Sequence, residues 1–108
     1  MFQHIKPAQV KDMMDAGTVS LVDVRDLNSY QAGHIKSAQP LDNSNVEKFV
    51  NQALQQENLN VVVCCYHGNS SQGAAQYLAE QGLKNVYSLD GGFEVFKISF
   101  PELVESHI

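Results

Sequence analysis

The sequence predicts an α/β fold, one domain over residues 1–108 with a parallel central sheet of about five strands flanked by helices on both faces. Two observations carry that expectation. Short apolar runs alternate with helix-periodic segments along the chain, and the connections between them are only a few residues long. The run "NVVVC", residues 60–64, is apolar throughout, as a strand covered from two sides must be. A chain of 108 residues is long enough for one core and short for two.

Each element has its own signal. Residues 5–17, "IKPAQVKDMMDAG", read as the first helix. Pro7 suits the first turn, Val10, Met13 and Met14 share a face, and Gly17 ends it. Residues 18–24, "TVSLVDV", follow as a short apolar strand ending near Val24. The pattern weakens in "YQAGHIKSAQPL", where only a short strand near residues 37–39 is expected. Residues 44–56 carry the clearest helical period, with Val46, Phe49, Val50, Ala53 and Leu54 on one stripe and Ser44 spaced to Glu47 as a capping box. After the buried strand at 60–64 come a helix at 71–82 stopped by Gly82, a strand at 85–89 and a last short helix at 92–100.

Composition narrows the function. The formal charge is −5 and no Lys/Arg cluster exists to neutralise phosphates, which argues against nucleic acid and gives no attraction to an anionic membrane. No apolar stretch approaches a membrane span, and "MFQHIKPAQV" has neither the charged nor the apolar region of a signal peptide. Cys64 and Cys65 are adjacent, so they cannot staple distant parts of the fold. Free thiols and a cytoplasmic location are expected.

Those thiols sit at the carboxyl end of a central strand, where an open parallel sheet forms its ligand crevice. Gly68, Asn69, Ser70 and Ser71 are small enough for the following loop to curl and aim backbone N–H groups at one point, beside the positive end of a helix. Charge-assisted hydrogen bonds of roughly 1.5–3 kcal/mol each can bring a thiol from about 8.5 into the reactive range. Side chains alternate along a strand, so Cys64 and Cys65 point to opposite sides. Cys64 continues the apolar run Val61-Val62-Val63 as a small buried hydrophobe, the loop departs from Cys65, and Cys65 is the expected nucleophile.

Several blocks now fall in one order: Asp23-Val24-Arg25 after a strand, Gly33-His34-Ile35, the loop "CYHGNSS", and Leu89-Asp90-Gly91-Gly92 before the last helix. This set resembles the rhodanese sulfurtransferases over nearly the whole chain, and most closely their short single-domain bacterial members. Where the family often carries Trp this chain has Phe96, and Cys64 replaces what is usually an ordinary apolar residue. The resemblance implies a thiosulfate sulfurtransferase. Cys65 would take sulfane sulfur as a persulfide, release sulfite and pass the sulfur to cyanide, a thiol or a dithiol, a thioredoxin-like protein among the acceptors. It implies no cofactor and no metal. Tyr66, His67, Gly68, Asn69, Ser70 and Ser71 would form the loop that binds substrate and persulfide. The alternative is a persulfide carrier without catalysis or a protein-binding module of the same fold.

The remaining residues divide between chemistry and structure. His67 is either an attractor for an anionic substrate or a solvent-facing loop residue. Arg25 either guides anions or, as the favoured reading, pairs with Asp26 or Glu94 to fix the loops, and Asp23 shapes its turn by accepting hydrogen bonds. Capping is favoured for Ser70 and Ser71, with donation to the sulfur compatible. Gly33 and His34 read as structural, Gly73 as a site of close helix packing, and Gly91-Gly92 as a tight turn. Cys64 could also resolve a Cys65 persulfide through a vicinal disulfide. A zinc site fails because adjacent cysteines cannot share one tetrahedral ion comfortably. Phosphatases of the Cys-x5-Arg type need arginine where this chain has Ser71.

Overall fold

The computed structural model describes residues 1–106. Its elements run β1 (Gln3–Ile5), α1 (Pro7–Ala16), β2 (Val19–Asp23), α2 (Leu27–Ala32), β3 (His34–Ile35), β4 (Gln39–Pro40) and α3 (Val46–Ala53). Then follow β5 (Asn60–Cys64), α4 (Ser70–Glu80), β6 (Asn85–Leu89), α5 (Gly92–Ser99) and, after a 3-10 turn at Pro101–Leu103, β7 (Val104–Glu105).

The main sheet has five strands in the order β1-β6-β5-β2-β4, and every pair in it is parallel. Strand β5 takes the centre because each of its valines has a layer to bury into. Val61 and Val63 pack with Phe49, Val50, Ala75 and Leu78 of α3 and α4. Val62 and Cys64 face the opposite layer, with Val10 of α1, Tyr30 of α2 and Phe93 and Phe96 of α5. The predicted fold class is therefore the observed one.

The short elements depart from expectation. Residue 5 belongs to β1 rather than to the first helix, which starts after Lys6 with Pro7 in its first turn. The strand expected near 37–39 lies at Gln39–Pro40; Ser37 has φ of 71° and occupies a turn, and Pro40 is tolerated because β4 is an edge strand. The capping box at Ser44 and Glu47 does not form. Asp42 accepts from both the N–H and the hydroxyl of Ser44, so the helix starts one residue later, after Asn45, and it ends at Ala53. Helix α4 begins at Ser70 with no side-chain cap, and ends at Glu80, two residues before Gly82. Gly73 faces open space, so close packing is not its role. Gly33 is extended, with φ of 176° that any residue adopts. Helix α2, whose first turn Asp26 caps by accepting from Ser29 N–H, and the antiparallel pair β3–β7 carried no readable pattern.

Arg25 is held differently from either expectation. Its guanidinium forks onto Asp23, with Nε donating to Oδ1 at 3.0 Å and Nη2 to Oδ2 at 2.7 Å. Nη2 also donates to the Gly33 carbonyl at 2.6 Å, and the guanidinium lies 4.2 Å from the centre of the Phe93 ring. Asp26 is occupied with α2 and Glu94 with Lys97, so neither is the partner. The turn shaped by Asp23 is as expected, since its Oδ1 also accepts from Arg25 N–H. Because the Arg25 and Asp23 side chains are only 6% and 1% exposed, the pair ties β2 to the start of β3 and to α5 rather than meeting solvent. Removing one partner strands the other charge. Arg25→Ala is expected to cost about 3–5 kcal/mol, read as a lower midpoint in urea unfolding; a shift worth under about 1 kcal/mol would assign the pair no structural weight.

Candidate active site

Strand β5 hands the chain to Cys65 and a short loop that leads into α4. The two sulfurs part there because successive strand side chains point opposite ways. Cys64 lies in the core with Val62, Leu89 and Phe93, and its thiol donates to the Cys65 carbonyl at 3.5 Å. Burial, reinforced by the Asp23 carboxylate, pushes that thiol far above its ordinary range. Held in the core, Cys64 has the environment of a small hydrophobe.

Cys65 is only 4% exposed, yet its sulfur is among donors. Gly68 N–H donates to Sγ at 3.1 Å, and the Ser71 hydroxyl lies 3.3 Å from it. Ser71 Oγ is in turn 2.8 Å from Ser88 Oγ, which reaches over from β6. Burial alone would push the Cys65 thiol up. Hydrogen bonds from the Ser71 hydroxyl and from the N–H groups of Ser71, Gly68 and His67 outweigh it, and the thiol sits below its ordinary value. Of the loop expected from Tyr66 to Ser71, the amides that act on the sulfur are those of His67, Gly68 and Ser71.

The loop is aimed by what packs on its outside. Phe93 N–H donates to the Cys65 carbonyl at 2.8 Å, and Glu94 N–H to the Tyr66 carbonyl at 3.2 Å. These are free N–H groups of the first turn of α5. Gly92 makes the approach possible: with φ of 61°, a Cβ there would lie 2.5 Å from the Tyr66 oxygen and 2.6 Å from that of Cys65. Gly68, with φ of 90°, presses against the same turn, where a Cβ would meet Gly91 N at 2.9 Å. The turn read from Gly91-Gly92 is present, and it also clears space for the cysteine loop.

The other expected site residues fall around this centre. Tyr66 is 49% exposed and stacks on His67 with ring centres 4.6 Å apart. Lys97, 3.0 Å from Glu94, helped by the Tyr66 hydroxyl and His67, holds the Glu94 carboxyl below its usual range. Asn69 precedes α4 without capping it, and Ser70 is exposed on the first turn. Ser71 is buried and turns to the sulfur, so the capping expected of this serine pair gives way to donation at one of them. Arg25 is committed to Asp23 and Gly33 and offers no free charge to an anion. Sequence reasoning missed Ser88 and the two α5 amides. Their only signal was a polar residue inside an apolar strand and a glycine pair at a helix start. Among the described residues, no helix is long and apolar enough to cross a membrane.

Known proteins are similar to this chain in sequence and in architecture. Residues 6–99 match the model of the rhodanese-like domain. Thiosulfate sulfurtransferase GlpE of Pseudoalteromonas translucida is 45% identical over 104 residues, spanning 96% of this chain and 97% of the relative. GlpE of Shewanella oneidensis is 50% identical over 95 residues, spanning 88% and 92%. Among solved structures, a protein of Anabaena matches with a TM-score of 0.80 at 21% identity, over 96% of this chain and 81% of that one. A yeast protein tyrosine phosphatase of the rhodanese family matches at 0.79 with 20% identity, over 99% and 94%. At such identities the structural matches speak for the fold alone.

The contrast between neighbouring thiols is directly measurable. Iodoacetamide at neutral pH is expected to label Cys65 and spare Cys64, as peptide mapping by mass spectrometry would show; labelling of Cys64 first would reverse the assignment. The labelling rate follows the thiolate fraction, so its midpoint is expected below about 8.5. Ser71→Ala removes a donor to the charged form and is expected to raise that midpoint by about one unit.

Proposed function

The chain belongs to the rhodanese-like domain family and is a sulfurtransferase, and on that premise we propose that it carries the outer sulfur of thiosulfate to a thiophilic acceptor as a persulfide on Cys65. The observation that carries this reading is the Cys65 sulfur at a strand end, with N–H and O–H donors converging on it.

The chemistry follows from that placement. The Cys65 thiolate attacks the outer sulfur of thiosulfate, forming a new S–S bond. The old S–S bond breaks and sulfite leaves with its electron pair. Sulfite is stable as an anion, so no general acid is needed. The loop donors that held the thiolate then hold the negative charge on the persulfide's outer sulfur. In the second step an acceptor nucleophile, cyanide or a thiolate, attacks that outer sulfur and the Cys65 thiolate departs. A thiol of lowered pKa leaves faster, so the hydrogen bonds that create the nucleophile also release the product. Splitting the transfer in two makes ping-pong kinetics the expected form. Cellular acceptors in this reading are small thiols or dithiols, a thioredoxin-like protein among them, and the setting is the reducing cytoplasm.

Phosphate-ester hydrolysis, suggested by the name of the yeast structural neighbour, suits this site poorly. The arginine of a Cys-x5-Arg loop would stand at position 71, where a buried serine bonds the sulfur, and Arg25 is already paired.

Intact-mass measurement after incubation with thiosulfate tests the proposal. Wild type and Cys64→Ala are expected to gain one sulfur atom, and Cys65→Ala none. Gain only from mercaptopyruvate, run in parallel, would keep the persulfide and change the donor. Gain from neither donor would overturn catalysis in favour of a carrier or protein-binding module.

A further inference from the structure

Beyond the loop itself, we infer that Ser88 is a positioning residue for the nucleophile: from β6 it holds the Ser71 hydroxyl with its one proton directed at the Cys65 sulfur. The inference rests on Cys65 being the reactive group, and it concerns a residue of a different strand from the one that carries it.

The argument is a count of protons. Ser71 Oγ has one hydrogen and two neighbours, Cys65 Sγ at 3.3 Å and Ser88 Oγ at 2.8 Å. An ionised sulfur can only accept, so Ser71 must donate to it. The 2.8 Å contact then requires Ser88 to donate to Ser71. Without Ser88, the Ser71 hydroxyl is free to turn toward a backbone carbonyl of the preceding turn, the usual habit of a serine in a helix. Both serines are buried, so water does not compete and the two bonds reinforce one another.

The position of Ser88 supports the same reading. It lies in β6 between Val63 of β5 and His4 of β1 in register, flanked by Tyr87 and Leu89. An apolar residue would pack there without the cost of burying a hydroxyl. The hydroxyl that is present bonds to Ser71, the residue that bonds the sulfur. The charged and titratable groups around the loop are Tyr66 and His67 within it, Cys64 before it, Asp90 with His4 of β1 upon it, Glu94 with Lys97 on α5, and the Asp23–Arg25 pair at the end of β2. Substitution at Ser88 changes none of them.

The test is the pH dependence of Cys65 alkylation by iodoacetamide in Ser88→Ala, Ser71→Ala, the double variant and Ser88→Thr. Ser88→Ala is expected to slow labelling at pH 7 about threefold by raising the midpoint about half a unit, and Ser88→Thr, which keeps the hydroxyl, to restore it. In the Ser71→Ala background, Ser88→Ala is expected to add nothing. An unchanged midpoint in Ser88→Ala would overturn the inference, as would an equal shift in the Ser71→Ala background. Should Ser88→Ala fail to fold, the near-isosteric pair Ser88→Thr and Ser88→Val makes the same comparison with and without the hydroxyl, both being residues that suit a strand. Loss of stability alone leaves the midpoint in place. A wild type that takes no sulfur from thiosulfate would sink the functional reading while leaving this relay to be judged by alkylation.

Discussion

The cysteine loop depends on a pair of hydrogen bonds made on its outer side. A peptide unit points its N–H and its C=O in opposite directions, so a tight loop can turn amides inward only if its carbonyls are satisfied outward. Here the carbonyls of Cys65 and Tyr66 are taken by the first N–H groups of α5, Phe93 and Glu94. Those are the groups a helix start leaves unbonded, and Gly92 lets them come close enough. The end of one helix thus orients a loop that belongs to another. The Arg25 guanidinium over the Phe93 ring connects this contact to β2, so the sheet, the loop and α5 are joined at one corner.

Two identical side chains, adjacent in sequence, meet opposite physics at that corner. Cys64 loses solvent and gains the Asp23 carboxylate nearby, which makes its anion costly. Cys65 also loses solvent but gains donors, and the donors prevail. Reactivity is therefore a property of where the strand ends rather than of the residue type.

Periodic elements were legible in the sequence, and so was the thiol that faces the loop. The stripe from Val46 to Ala53 and the valines of β5 are long enough to show their period and to place Cys65 at a strand end. Strands of two or three residues such as β1, β3 and β7 contain less than one informative repeat, and they exist because a neighbour offers an edge. Ser44 and Glu47 had cap spacing, but Asp42, two residues earlier, competed for the same hydroxyl. The partner of Arg25 was misjudged among nearby carboxylates because only the fold shows that Asp23 is buried alongside it. Ser88 showed only as a polar residue inside an apolar strand; its relation to Ser71 is made by strand order and not by spacing.

The separation of the two sulfurs has a consequence under oxidative stress. An ionised thiol is the form that peroxides convert to a sulfenic acid, and many redox-responsive proteins then protect it by closing a bond to a second cysteine close by. Cys64 is the only other cysteine in the chain, and it is buried with its sulfur in the core. Because burial holds Cys64 as the thiol rather than the thiolate, Cys65, once oxidised, has only a slow partner inside the chain. Its repair falls to thiols supplied from outside, and any delay in their arrival exposes it to the irreversible steps beyond.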